Sequence, residues 1–235
     1  MNSYIHILLD LDDTVFDFPL SEKTAFNKTM EKLGIEDADS LRAVYTVENT
    51  KCWKQIEQKT MQREEMFWRR WANTFAAAGI TSDTPYLEIN SMYMEELSKL
   101  GIYLPGAEEF MKKLRSIPGI TISLITNGTS QSANGRIRAS GIGQYADYIF
   151  VSHDIGYDKP DVRFFECVLN TVKDTDKEHY LVVGDSLTSD IKGANNAGLP
   201  CCLFAKDGRF PEGAENLRID YKTASYGEIL NIIRG

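Results

Sequence analysis

Downstream of residue 100 the chain alternates short apolar runs, at 120–125, 148–151, 180–183 and 201–204, with stretches that read as helices at 129–140, 161–172 and 188–197. Hydrophobicity in those runs is continuous rather than alternating, which implies strands covered on both faces, as in a parallel sheet. Glycine, polar residues or the Gly198-Leu199-Pro200 sequence follow the helices and mark their ends. Such a βαβ succession restricts the chain to right-handed crossovers. The expected fold class is therefore α/β, with a doubly wound, Rossmann-like parallel sheet as its core. The segment Ile5-His6-Ile7-Leu8-Leu9-Asp10 reads as the first strand of that sheet, and it runs into acid.

Residues 16–100 have a different pattern, four helical stretches in succession with no convincing strand. Phe26, Met30 and Leu33 share a face in the first, and Leu41, Val44, Tyr45, Cys52 and Ile56 in the second. Phe67, Trp71, Phe75 and Ala78 mark the third, and Tyr86, Ile89, Tyr93, Leu97 and Leu100 the fourth. The organisation predicted is an α/β core made of 1–16 and 101–235 with an all-helical domain, 17–100, inserted after the first strand. Gly101, Pro105 and Gly106 punctuate the return. The aromatic stripes read first as bundle core; Phe16, Phe18 and Trp53 are the candidates for lining a substrate pocket.

A net charge of −8 with no basic stripe argues against a nucleic-acid polymer as partner. No apolar run approaches the length of a membrane span, and residues 1–20 carry acids where a secretory leader would carry Lys or Arg. Cys52, Cys167, Cys201 and Cys202 form neither a C-x-x-C pair nor a disulfide framework. A cytoplasmic protein with no membrane partner is expected.

Four segments carry the chemistry. Asp10 and Asp12 are two apart, so continued extended geometry would project both carboxylates to one side; like charges that close favour either a proton donor or a metal site. Thr126, Asn127 and Gly128 end a strand just before a helix, where a hydroxyl and backbone N–H groups are able to hold a phosphoryl oxygen or simply to cap the helix. Pro160 restrains Lys159 ahead of another helix, and a fixed lysine is able to neutralise the same oxygen. Asp185 again sets acid at a strand end, beside Asp10 if the two strands are neighbours, offering hard oxygens that suit Mg²⁺. Asp190, one helical turn on, is placed to orient Asp185, a coordinating water or Lys159.

Taken in order, Asp10-Leu11-Asp12-Asp13-Thr14, Thr126 in an Ile-Thr-Asn-Gly context, Lys159-Pro160, and Gly184-Asp185 followed by Asp190 resemble the motifs of the haloacid dehalogenase (HAD) superfamily, with the helical insert resembling the C1 cap of its subfamily I. More narrowly, Leu104-Pro105-Gly106-Ala107, Gln131 and Arg136, and Gly184 to Ile191, together with Asn49, Trp53 and Arg63, are similar to YjjG/YfnB-type pyrimidine 5′-nucleotidases. The resemblance implies an Mg²⁺-dependent phosphatase acting on a small phosphorylated metabolite, most directly a pyrimidine nucleoside 5′-monophosphate. Asp10 would be the nucleophile and Asp12 the general acid and base. Metal would lie on the Asp10 carboxylate, the Asp12 carbonyl and Asp185, and phosphate on Thr126, Asn127 and Lys159. The alternatives are another phosphometabolite, such as a sugar phosphate, phosphoglycolate or a sialic-acid phosphate, and further off a 2-haloacid dehalogenase or an inactive binding protein. Asp13 departs from the glycine many members carry, at a turn where Asp tolerates unusual φ better than most residues. Asn134 and Gly135 disfavour the helix that the resemblance places there.

Overall fold

The computed structural model describes residues 4–235. These divide into two compact units, one running up to Pro19 and resuming at Gly101–Gly235, the other Leu20–Leu100. The first boundary falls at Pro19 rather than at 16. Phe16 is fully buried in the α/β unit, and the Asp17 N–H donates to the Ile102 carbonyl at 2.8 Å, so both residues stay with that unit.

Among the described residues the α/β unit holds a six-stranded parallel sheet: β1 (His6–Asp10), β2 (Thr121–Thr126), β3 (Tyr148–Val151), β4 (Tyr180–Gly184), β5 (Cys201–Phe204) and β6 (Tyr221–Thr223), in the order β3-β2-β1-β4-β5-β6. Strands are added outward in both directions from β1, the doubly wound arrangement. Its helices are α5 (Ala107–Arg115), α6 (Ser130–Ser140), the short α7 (Ser152–Ile155), α8 (Val162–Val172), α9 (Lys192–Ala197) and α10 (Tyr226–Arg234). Both faces of β1 are covered. Ile7 and Leu9 pack in one apolar layer with Phe110 and Met111 of α5 and Ile229 and Ile233 of α10. Leu8 packs in the opposite layer with Phe164 and Phe165 of α8 and Ala194 of α9. This two-sided burial is why the strands read as unbroken apolar runs.

The edge strand β6 lies outside the predicted set, because only Thr223 of its three residues is buried and Lys222 is exposed, leaving no apolar run to detect. α6 forms across Asn134-Gly135, with Thr129 as N-cap accepting from the Ser132 N–H, and Gly135 is buried in it.

The helical unit contains α1 (Phe18–Lys32, which begins two residues before the boundary), α2 (Ala38–Glu57), α3 (Arg63–Ala78) and α4 (Tyr86–Ser98). Phe26, Tyr45, Trp71 and Tyr93 form one aromatic cluster with ring centroids 4.9–5.9 Å apart. Arg70 is buried among them, its guanidinium 5.0 Å from the Tyr93 ring centroid. No helix among the described residues is long and apolar enough to cross a membrane.

Candidate active site

Chain order reverses between β1 and β4, and in open α/β sheets the crevice outside the carboxyl ends of the strands at such a point binds ligands. β1 ends there in Asp10, and β4 ends in Gly184 with Asp185 next. Beyond Asp185, Ser186 caps a wide π-type turn, Leu187–Ile191, by accepting from the Ser189 N–H. That turn brings Asp190 back against the end of β4, where one carboxylate oxygen accepts from the Ser186 N–H at 3.1 Å. The approach is so close that a Cβ on Gly184 would lie 2.3 Å from the Asp190 carboxyl. Only glycine fits at that strand end.

Asp10, Asp185 and Asp190 each contribute a carboxylate oxygen to one cluster in which these atoms lie within 4.8 Å of one another. Lys159 enters from the loop before α8. Its Nζ donates to Asp10 Oδ1 at 2.5 Å, to Asp190 Oδ1 at 2.7 Å and to the Ile125 carbonyl at 3.3 Å. Asn127 holds the Lys159 backbone from both sides, its Nδ2 donating to the Lys159 carbonyl and its Oδ1 accepting from the Lys159 N–H, each at 2.8 Å. The Lys159–Pro160 peptide is cis. Thr126, at the end of β2, is buried beside this loop-holding amide.

Three carboxylates cluster around one ammonium that bonds to two of them, Asp10 and Asp190, and the titration of the group reflects that imbalance. Burial first, and then the Asp190 charge, push Asp10 well above the ordinary carboxylate range, with Lys159 pulling it part of the way back. Asp185 is pushed up to about 7 by burial, Asp190 and Asp13. Burial alone would lower Lys159, yet Asp10 and Asp190 together hold it above its usual value. A set of buried, hard oxygen donors with uncompensated negative charge is what a divalent cation such as Mg²⁺ fits.

A compact turn follows β1. The Val15 and Phe16 N–H groups both donate to the Leu11 carbonyl and the Asp13 N–H to the Phe16 carbonyl, closing it over 11–16. Asp12, two residues after Asp10, is bridged to Phe16 within it. Its carboxylate accepts from both terminal nitrogens of Arg136 in α6, Nη1 to Oδ1 and, at 2.9 Å, Nη2 to Oδ2. Asp13 adopts φ +59°, the left-handed region that suits glycine, and its carboxylate receives Lys206 Nζ at 2.7 Å.

The three aromatic candidates part company. Phe16 is wholly buried in the α/β core, its ring 5.5 Å from that of Tyr103, so packing rather than an open pocket is its environment. Phe18 is half-buried with the Arg136 guanidinium 5.3 Å from its ring centroid. Trp53 lies in the helical unit beside Cys52, Met61 and Met66, under the Arg63 guanidinium at 5.7 Å. Asp190 joins Asp10 and Asp185 in the carboxylate cluster. The engagement of Asp12 by Arg136 and of Asp13 by Lys206 was beyond sequence reasoning. A signal for the first exists: Ser132, Ala133, Arg136 and Ile137 share the buried side of α6, and a lone charge on such a face needs a partner.

A family model for haloacid dehalogenase-like hydrolases matches residues 6–198. The chain belongs to that family. Pyrimidine 5′-nucleotidase PynA of Streptococcus pneumoniae is 29% identical over 98% of this chain and 95% of its own length. The HAD-hydrolase YfnB of Bacillus subtilis is 32% identical over 88% of this chain and 86% of its own. The crystal structure of YfnB bound to magnesium superimposes with a TM-score of 0.90, at 28% identity and 99% coverage of both chains. Pyrimidine 5′-nucleotidase YjjG of Escherichia coli is 32% identical across 54% of this chain and 56% of its own.

Proposed function

We propose that this hydrolase is a phosphomonoesterase that works through an aspartyl-phosphate on Asp10, with pyrimidine nucleoside 5′-monophosphates as its substrate class. The observation that carries the reading is the buried Asp10 carboxylate at the end of β1, in contact with Lys159 and clustered with Asp185 and Asp190. In the first step an Asp10 oxygen attacks phosphorus and the bond from phosphorus to the ester oxygen breaks, with Asp12 giving that oxygen a proton. In the second, water attacks the phosphorus, Asp12 takes its proton, and the bond to Asp10 breaks to release phosphate. Lys159 neutralises phosphoryl charge, and Thr126 offers a hydroxyl donor at the end of β2. Asn127 serves by holding the Lys159 loop. Mg²⁺ held by Asp10, Asp185 and the Asp12 carbonyl, with Asp190 beside it, would offset repulsion between the nucleophilic carboxylate and the phosphate dianion.

A carboxylate at position 12 favours ester hydrolysis over dehalogenation, since a departing halide needs no proton and an alkoxide does. The names of PynA and YjjG support the pyrimidine nucleotide as substrate. Phosphate release from UMP, dTMP, AMP, phosphoglycolate and sugar phosphates, with Mg²⁺ or with excess EDTA, tests both levels. Metal-dependent preference for the pyrimidine esters is expected. Activity confined to other esters would remove the nucleotidase assignment alone, and release from none would remove the phosphatase reading.

A further inference from the structure

The guanidinium of Arg136 is buried, with only 2% of its side chain exposed, while the Asp12 side chain it grips is 32% exposed. Two parallel N–H···O bonds fix a carboxylate in plane as well as in position. The Phe16 and Phe18 ring centroids lie 5.8 and 5.3 Å from the guanidinium carbon. On the other side of the same residue, the Arg136 carbonyl lies 2.3 Å from where a Cβ on Gly101 would be, so the backbone of α6 is packed closely there too. The arginine is thus held by its surroundings, and the aspartate is held by the arginine.

We propose that Arg136 is a positioning residue for the acid–base step, holding the Asp12 carboxylate so that its free lone pairs face the ester oxygen and stabilising the anion left when the proton departs. This rests on the reading of Asp12 as general acid and base. A carboxylate has about four lone-pair sites, and a bidentate guanidinium occupies two. The remaining pair stays on the exposed side, available for a proton. Arginine suits the task because it remains charged at any working pH and presents a planar fork, which a lysine cannot reproduce. In the forward step the O–H bond of Asp12 breaks as the new O–H bond forms on the leaving alkoxide, and the negative charge developing on Asp12 meets a fixed positive one. In the second step the same carboxylate, still oriented, receives the proton of the attacking water.

A bond that merely staples α6 to the turn would affect all substrates alike, whereas positioning of a general acid depends on how much the leaving group needs a proton. The test is therefore kcat/KM of the wild-type, Arg136→Met, Arg136→Lys and Asp12→Asn proteins on two esters with Mg²⁺ present. One is UMP, whose alkoxide departs poorly without protonation; the other is p-nitrophenyl phosphate, whose phenolate departs readily without it. kcat/KM reports events up to the first irreversible step, so dephosphorylation of Asp10 does not blur the comparison. Arg136→Met is expected to lower the UMP value by about 10²-fold and the p-nitrophenyl value by less than about 10-fold. Arg136→Lys should recover part of the UMP loss, and Arg136→Met in an Asp12→Asn background should cost less than about threefold more. Parallel falls on the two esters, or full additivity in the double variant, would overturn the assignment while leaving the phosphatase reading intact. A wild-type protein inactive on both esters would overturn that reading and the assignment with it. Because both esters are read on the same preparation, a partly unfolded variant lowers both values equally and does not imitate the expected split.

Discussion

Arg136 in the α/β unit and Arg70 in the helical unit are both nearly inaccessible, at 1% and 4% exposure, but they are accommodated in different ways. Arg136 meets the Asp12 carboxylate in a two-bond ion pair at the end of the turn that follows β1. Arg70 donates to neutral amides instead, Nη2 to Asn90 Oδ1 at 2.5 Å and Nη1 to Asn49 Oδ1 at 3.3 Å, and the faces of Tyr45, Trp71 and Tyr93 lie around it. The same Asn90 oxygen also accepts from Trp71 Nε1 at 3.3 Å, tying charge and ring cluster into one packed body. A buried charge satisfied by amides and π faces stabilises a particular packing. One paired with a partly exposed carboxylate instead leaves that carboxylate accessible. Burial of a cation is therefore no guide to its task; the accessibility of what it binds is.

The comparison breaks first at Asp10. Asp10→Asn is expected to lower turnover by about 10³-fold or more while thermal unfolding stays near that of the parent, because an amide of equal size replaces a carboxylate already crowded by Asp190. Wild-type-like phosphate release would end the nucleophile assignment. Gly184→Ala comes next: the added methyl meets the Asp190 carboxyl, so a loss of about 1–3 kcal/mol in denaturant unfolding and a large loss of activity should come together. Stability and activity that are both unchanged would mean that the Asp190 turn relaxes freely.

The pH dependence of the metal-free protein distinguishes the units without a mutation. Asp185 is raised to about 7 from an ordinary value of 3.8 and Asp10 is raised as well, so between those pH values the folded protein binds more protons than the unfolded one. Their contribution to stability must then fall as pH rises from about 4 to 7. Unfolding temperatures in EDTA should show this slope, and Mg²⁺ should remove it by neutralising the cluster; a slope that survives saturating Mg²⁺ would argue against a cation among these carboxylates.

Smaller effects follow from the contrast between the arginines. Arg70→Met should cost about 1–3 kcal/mol in unfolding, since the Asn49 and Asn90 oxygens lose a charged donor, but it should leave the ratio of UMP to p-nitrophenyl turnover unchanged. A change in that ratio would assign Arg70 a part in the chemistry. Smallest of all, Asp13→Gly is expected to alter unfolding by less than about 1 kcal/mol, relief of the positive φ offsetting the lost contact with Lys206.

The α/β architecture was legible because strands buried on both faces leave apolar runs, as at 120–125, 180–183 and 201–204, and because the edge strand at 148–151 is apolar throughout even though Tyr148 and Ile149 are exposed. β6 was not, since an edge strand with one exposed lysine makes no such run. In the helical unit the stripe Phe67, Trp71, Phe75 was visible at helical spacing, whereas nothing in the pattern marked Arg70 beside it as buried. The order of acids, threonine and lysine along the chain pointed to one sheet edge, because each ends a strand or precedes a helix. Of the pairings, only Lys159 as one of three partners open to Asp190 was foreseen.

The sequence by itself determined which residues stand at the carboxyl edge of the sheet, for strand and helix periodicity are local properties and chain order does the rest. It determined too that Asp13 can occupy a left-handed turn. Only the tertiary structure decided that Lys159 is shared between Asp10 and Asp190, that Asp190 joins the carboxylate cluster, and that Asp12 turns to Arg136. Those pairings join residues 31 to 149 positions apart. They depend on ångström distances and on the desolvation that packing imposes, quantities that no spacing along a chain encodes.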